Sequence, residues 1–219
     1  MLNNLTEDLQ NYIVERIKEL PKNIKGLIVF DIDDTLLKAD PSVIKIYKTE
    51  PGKAEIGLTT DEFAKDPDAQ DPSKQDWFDY RDFKDPDKIY NSIVSGTPLI
   101  KNLKIMDDYI NAGYDFCFLT ARGCEEAVKD ALKDFLKFKD KNGVMSELKN
   151  EFKETLSHAV NDEYKKYPGK NVAEKKANVL KHLCEVYNKV VFVDDDKRNI
   201  EMIKKLNIKN LTAIQANKE

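Results

Sequence analysis

Asp31-Ile32-Asp33-Asp34-Thr35-Leu36 follows directly on the apolar run Leu27-Ile28-Val29-Phe30. Two carboxylates with one residue between them share a tight turn, in which only one can point straight at a bound cation and a phosphoryl group. The other is then placed to give and take a proton. A carboxylate is a competent covalent nucleophile toward phosphorus, but its charge repels an anionic substrate unless a cation offsets it. Mg2+ suits that task because it prefers oxygen ligands and is usually held by one or two carboxylates, a substrate phosphate and waters. Asp194-Asp195-Asp196 ends another apolar run and supplies a second carboxylate. The phosphoryl oxygens also need a hydroxyl and an ammonium. Thr120 ends a third apolar run, and Lys175 or Lys176 precedes the last.

Taken singly these are common features: D-x-D is more often a helix cap or loop, and Lys175-Lys176 is most simply a solvated helix face. Their order along the chain is what is specific.

The elements that must position these residues are legible as short unbroken apolar runs at 27–30, 114–119 and 190–193, typical of strands buried on both faces, with a last strand at 211–215. Helical patterns lie between them at 98–112, 125–138 and 172–187, the first opened by Pro98 and followed by Gly113. Leu2, Leu5, Leu9, Ile13, Ile17 and Leu20 mark an amphipathic N-terminal helix, with Asn4 and Glu7 spaced as a capping box. Strands alternating with helices imply a parallel sheet with helices on both faces. Ligands bind such sheets beyond the carboxyl ends of the strands, the edge that carries Asp31, Thr120 and Asp195.

Two segments fall outside the alternation, residues 38–96 and residues 139–170. In the first, Val43–Tyr47 and Ala54–Leu58 flank a Pro51-Gly52 turn, which predicts a hairpin. An acidic, Pro-punctuated stretch follows, around Trp77, Phe78, Tyr80 and Phe83. It reads as a long irregular flap with two open roles: a lid over the site, or an insertion whose aromatics fill its own small core. The chain is therefore read as a single domain over 1–219, with a flap or lid insertion at 38–96 and a smaller helical insertion at 139–170.

Of 219 residues 35% are charged and 41% hydrophobic, the balance of a folded, soluble chain with one core. The densest basic stretch, 129–149, is interrupted by Asp130, Asp134 and Asp140, and reads as a solvated helix face and no strong nucleic-acid signal. No run approaches the ~20 apolar residues of a membrane span, and the expected location is cytoplasmic. Cys117, Cys124 and Cys184 lack metal-ligand spacing and read as reduced thiols. His158 and His182, the only histidines, lie far along the chain from the acidic turn, which argues against a Cys/His mechanism.

Phe30-Asp31-Ile32-Asp33-Asp34-Thr35-Leu36, Phe118-Leu119-Thr120-Ala121-Arg122 and Val191-Phe192-Val193-Asp194-Asp195 resemble, in order, the first, second and fourth motifs of the haloacid dehalogenase (HAD) superfamily of phosphohydrolases. The third motif is a lone Lys, assigned to Lys176 with Lys175 as the alternative. The resemblance implies a Rossmann-like α/β core and Mg2+ as cofactor. It implies Asp31 as nucleophile and metal ligand, and Asp33 as acid/base that also lends its backbone carbonyl to the metal. Thr120 and Lys176 would hold the phosphoryl oxygens. Asp195 would complete the metal set of Asp31, Asp33 and Asp195, supported by Asp194, and Thr35 would orient the turn. Arg122 joins the substrate-binding set, and Trp77 is a candidate for stacking on a base or aromatic leaving group.

The family often has Gly where this chain has Asp34. The adjacent Asp194-Asp195 looks like members acting on nucleotides, polynucleotide ends or phosphoproteins. It departs from class B-like acid phosphatases, to which the Trp77-Phe78 segment and the first motif are otherwise similar. The expected activity is Mg2+-dependent hydrolysis of a phosphomonoester through an aspartyl-phosphate, on a nucleotide, a polynucleotide end, a phosphoprotein or a small phosphometabolite. Asp33 and Asp195 argue against dehalogenase chemistry, and Thr120 on the middle strand argues against a receiver domain. A catalytically silent binding protein is the remaining alternative.

Overall fold

The computed structural model describes residues 25–140, 156–159 and 169–217. In chain order the strands are β1 (Gly26–Phe30), β2 (Leu37–Lys38), β3 (Ile46–Lys48), β4 (Ile56–Leu58), β5 (Phe78–Asp79), β6 (Thr97–Pro98), β7 (Tyr114–Thr120), β8 (Leu156–Ala159), β9 (Val190–Asp194) and β10 (Leu211–Gln215). The α-helices are α1 (Thr60–Lys65), α2 (Pro86–Val94), α3 (Ile100–Asn111), α4 (Glu125–Asp140), α5 (Val172–Val186) and α6 (Lys197–Lys205).

Every residue of β1 and β9 is buried, as their unbroken apolar runs require. Side chains alternate across the sheet, so the two faces of β1 enter different cores. Ile28 and Phe30 pack with Leu103 and Met106 of α3, Val128 and Phe135 of α4, and Ile89 of α2. Leu27 and Val29 pack with Val179, Leu180 and Leu183 of α5 and Ile200 and Ile203 of α6. The result is an α/β sandwich of Rossmann-like form.

The main sheet is parallel in the order β10-β9-β1-β7-β8. From β1 the chain builds outward through β7 and β8, then returns to lay β9 and β10 on the other flank of β1. Connections therefore leave β1 and β9 in opposite directions, which opens a crevice at their carboxyl ends where ligands of such sheets bind.

β1, β7, β9 and β10 and helices α3, α4 and α5 lie within about two residues of the positions read from the apolar runs. The N-terminal helix expected at 2–20 lies outside the described residues. In the segment 139–170, expected to be helical, residues 139–140 end α4 and residues 156–159 form β8, parallel to β7. Residues 141–155 and 160–168 lie outside the described residues. Leu156-Ser157-His158-Ala159 has no apolar run of its own, so its extended form comes from pairing with the edge of β7.

β2 pairs antiparallel with β6, Leu37 opposite Pro98 and Lys38 opposite Thr97, so the chain between them leaves and returns through one narrow neck. Beyond it the expected hairpin is β3 and β4, with β5 on the other side of β3. The Pro-punctuated stretch is more ordered than the irregular flap expected from the sequence. Asp66, Asp71 and Asp85 each accept a backbone N–H two residues ahead, and the Pro after each opens a helical turn. Asp-Pro is a helix start, because Pro has no N–H to leave orphaned and Asp caps the next one. Ile46, Ala69 and Phe78 form the small core here, with Phe63, Trp77, Tyr80 and Phe83 packed on it.

At the start of β1 a Cβ on Gly26 would stand 2.6 Å from the Lys189 carbonyl and 2.8 Å from the Tyr114 ring. Gly26→Ala is expected to destabilise the protein by about 1–3 kcal/mol through overpacking, read as a lower urea midpoint at unchanged m-value. An unchanged midpoint would mean that the β7 and β9 flanks yield at this point.

Candidate active site

Asp31 directly follows β1, with its N–H donated to the Val193 carbonyl at 2.9 Å, which ties it to the end of β9. The chain then turns sharply: the N–H groups of Leu36 and Leu37 both reach the Ile32 carbonyl, at 2.8 and 3.2 Å. Asp34 takes the left-handed conformation at φ 54°, which Gly adopts freely and Asp tolerates better than most residues. This accounts for Asp at a position where the resembling family often has Gly. The turn is anchored from two sides. Thr35 Oγ1 accepts the Asp195 N–H at 3.0 Å, and the buried Asn102 amide donates to the carbonyls of Thr35 and Asn217 at 2.7 and 2.8 Å.

Asp31, Asp194 and Asp195 each offer a carboxylate oxygen within 4.8 Å of the others. Against them stands Lys176 of α5, only 1% exposed, with Nζ 2.9 Å from Asp31 Oδ1 and 2.8 Å from Asp194 Oδ2. Asp194 also accepts the Asn199 amide at 3.0 and 3.1 Å and the Asp196 N–H at 2.7 Å. Its oxygens are thereby committed to holding the strand ends, and Asp31 and Asp195 are the better placed for a ligand.

Burial pushes the Asp31 carboxyl well above the ordinary range; Lys176 opposes this, while Asp194, Asp195 and Asp33 add to it. Burial also works against the Lys176 charge, but Asp194 and Asp31 more than offset it and hold the ammonium above its usual range. Lys176 is therefore the charged partner, and three carboxylates face one ammonium. An all-oxygen donor set with excess negative charge fits Mg2+.

Thr120 ends β7, fully buried, and its Oγ1 accepts the Arg122 N–H at 3.2 Å. Arg122 is 0% exposed, and its guanidinium grips both carboxylate oxygens of Asp33, at 2.8 Å from Nε and 2.7 Å from Nη2. Nη1 donates to Ser92 Oγ at 2.7 Å and to the Ile89 carbonyl at 3.2 Å. Arg122 was expected to bind substrate; here the guanidinium is spent on Asp33 and α2. With the Asp33 carboxylate turned to Arg122, its main-chain carbonyl is the group left to approach a cation.

Of the two candidate lysines, Lys176 reaches the carboxylates. Lys175 is partly exposed, its ammonium lowered by burial and by Lys84. Trp77 packs in the small core beyond the neck with the Lys74 ammonium 4.9 Å over its ring, a structural setting more than a stacking platform. That unit still touches the site: Gly123 N–H donates to the Phe83 carbonyl at 2.9 Å, and Cys124 Sγ lies 2.9 Å from the Lys84 carbonyl.

Asn102, Asn199 and Ser92 escaped the sequence reading. The available signal was a polar residue on an apolar helix face, as Asn102 is beside Leu103 and Met106 on α3.

Among the described residues no helix is long and apolar enough to cross a membrane. No protein-family model and no curated protein matches the chain. Among solved structures, a phosphoserine phosphatase in its apo form is similar over 88% of this chain and 88% of its own, at 18% identity and a TM-score of 0.39.

Because folding raises the Asp31 pKa, the native state holds that proton more tightly than the unfolded chain. The resulting stability is complete below the unfolded carboxylate pKa of ~3.9 and is lost as pH rises through the folded value. At neutral pH without divalent cation, Asp31→Asn is therefore expected to raise the melting temperature by a few degrees. Added MgCl2 should stabilise the wild type more than the variant. Differential scanning fluorimetry in chelator and in MgCl2 checks both; a lower melting temperature for the variant in chelator would contradict the charge argument.

Proposed function

We propose that this chain is a Mg2+-dependent phosphomonoester hydrolase of the HAD type. The observation that carries the reading is the meeting of Asp31, Lys176, Asp194 and Asp195 at the carboxyl ends of β1 and β9, with Thr120 at the end of β7 on the other side of β1. Fold alone would not justify it, since α/β sheets of this kind serve many chemistries.

Asp31 attacks phosphorus through a carboxylate oxygen, forming an aspartyl-phosphate as the bond to the leaving oxygen breaks. Asp33 gives its proton to that leaving oxygen. Water then attacks the phosphorus, Asp33 takes a proton from it, and the Asp31–phosphate bond breaks to regenerate the carboxylate. Lys176 and the Thr120 hydroxyl hold the phosphoryl oxygens, whose charge shifts between them during transfer. Asp31, Asp195 and the Asp33 main-chain carbonyl would hold Mg2+, which when bound supplies positive charge that offsets the repulsion between nucleophile and substrate. The same positive charge would oppose the burial and the neighbouring carboxylates that raise the Asp31 pKa.

The segment beyond the β2–β6 neck serves in this reading as the lid that covers the leaving group. The adjacent Asp194 and Asp195 suit a nucleotide, a polynucleotide end or a phosphoprotein as substrate; the first two are the proposal, with a phosphoprotein or a small phosphometabolite as the alternatives. A panel of 3′- and 5′-phosphorylated oligonucleotides, nucleotides and phosphorylated metabolites separates these. Cys117, Cys124 and Cys184 form no disulfide among the described residues, which suits a reducing, cytoplasmic setting.

Asp31→Asn is expected to reduce turnover of an aryl phosphate to background while far-UV circular dichroism is unchanged; substantial residual kcat would overturn the assignment. Activity should require Mg2+, be lost in chelator, and be restored poorly by Ca2+, whose longer and looser coordination misplaces the phosphoryl group. Asp195→Ala should raise the Mg2+ concentration for half-activity far more than Asp196→Ala. Asp196 caps α6 through the Arg198 N–H at 2.8 Å and pairs with the Arg198 guanidinium at 2.7 Å. The reverse order would place the cation on the other carboxylate.

A further inference from the structure

We infer that Arg122 and Ser92 are positioning residues for Asp33, and that helix α2 is thereby the mount on which the proton-transferring group is set. This rests on the hydrolase reading above.

Two oxygens of one carboxylate meet two N–H donors of one guanidinium, a fork that fixes direction as well as distance. A guanidinium can hold Asp33 in place only if it is itself held. Arg122 is fully buried, and the far side of its fork is fastened to α2 by Ser92 Oγ at 2.7 Å and the Ile89 carbonyl at 3.2 Å. Ser92 is 0% exposed and spends its own hydroxyl proton on the Ile89 carbonyl at 3.0 Å. Its oxygen is thereby presented to Arg122 as an acceptor in one orientation. The chain of contacts runs from α2 through Ser92 and Arg122 to both oxygens of Asp33.

α2 itself is bound on two sides. On the core side Ile89 and Ile93 are fully buried, and the Tyr90 hydroxyl lies 2.6 Å from Asp134 of α4. Toward the β3–β5 unit, Lys88 Nζ lies 2.6 Å from Asp82, whose other oxygen accepts the Lys45 N–H at 3.0 Å just before β3. The β3–β5 unit is thereby joined, through Asp82 and Lys88, to the helix that carries Ser92. The same segment that would cover the leaving group also aims the group that protonates it.

The test uses two substrates on the full chain. 4-Nitrophenyl phosphate has a leaving group that needs no proton, so only hydrolysis of the aspartyl-phosphate depends on Asp33. A simple alkyl phosphate needs Asp33 in both steps. Arg122→Met should then behave like Asp33→Asn. In stopped flow it should release nitrophenolate in a burst equal to the enzyme concentration, then turn over slowly, and its kcat should fall further on the alkyl ester. Ser92→Ala should show the same pattern more weakly, with kcat lower on the order of tenfold to a hundredfold at little change in KM. Arg122→Lys, which restores the charge without the fork, should recover only part of the loss.

Loss of activity without a burst, equal on both esters, would overturn the inference in favour of a purely structural role. A raised KM at unchanged kcat for Arg122→Met would overturn it in favour of direct substrate binding. If Arg122→Met does not fold, Ser92→Ala, which removes one oxygen, carries the same decision. A wild-type protein that turns over neither ester in MgCl2 overturns the hydrolase reading itself, whereas an active wild type with burst-free variants overturns only the positioning role.

Discussion

The ammonium of Lys176, buried between Asp31 and Asp194, is the contact on which the carboxyl edge of the sheet depends. Parallel pairing of β1 with β9 brings the carboxylates at their ends together, and burial makes each charge expensive. One ammonium in good hydrogen-bond geometry with both strand ends makes that arrangement tenable. Around it, Asn199, the Asp196 N–H and Thr35 satisfy the remaining oxygens or tie down the turn, each contributing direction more than energy.

The compensation is incomplete, and this gives the edge its chemical character. Three carboxylates against one ammonium leave negative charge that a divalent cation would offset, and Asp31 answers by holding its proton unusually well. A fully neutralised cluster would make a more stable protein and a poorer cation site. Uncompensated charge of this kind, at the place where chemistry is proposed, is a familiar compromise between stability and activity.

Environment also separates the two acids of one turn. Asp31 and Asp33 are two residues apart, yet the first faces Lys176 and the second is held by Arg122 and, through it, by α2. The different tasks proposed for them follow from those partners, since their side chains are chemically identical. The segment that interrupts the sheet between β1 and β7 is thus part of how the turn is organised. Without α2 the Arg122 guanidinium would lose its anchor, and Asp33 would lose its direction.

Four parallel strands and three helices were legible in the sequence because runs buried on both faces, and helices with one apolar face, impose local periodicities that need no knowledge of partners. The acidic turn, Thr120 and the acidic triplet were legible for a related reason: strand ends on one edge of a parallel sheet must come together whatever the loops do. Tertiary structure alone decided which of Lys175 and Lys176 faces inward, that Arg122 meets Asp33 across 89 residues of chain, that Trp77 packs in the small core beyond the neck, and that the unpatterned residues 156–159 become a strand. Those outcomes depend on side-chain direction and on contacts between distant segments. Neither leaves a periodic trace, because each is set by the one residue that happens to lie opposite in the folded chain.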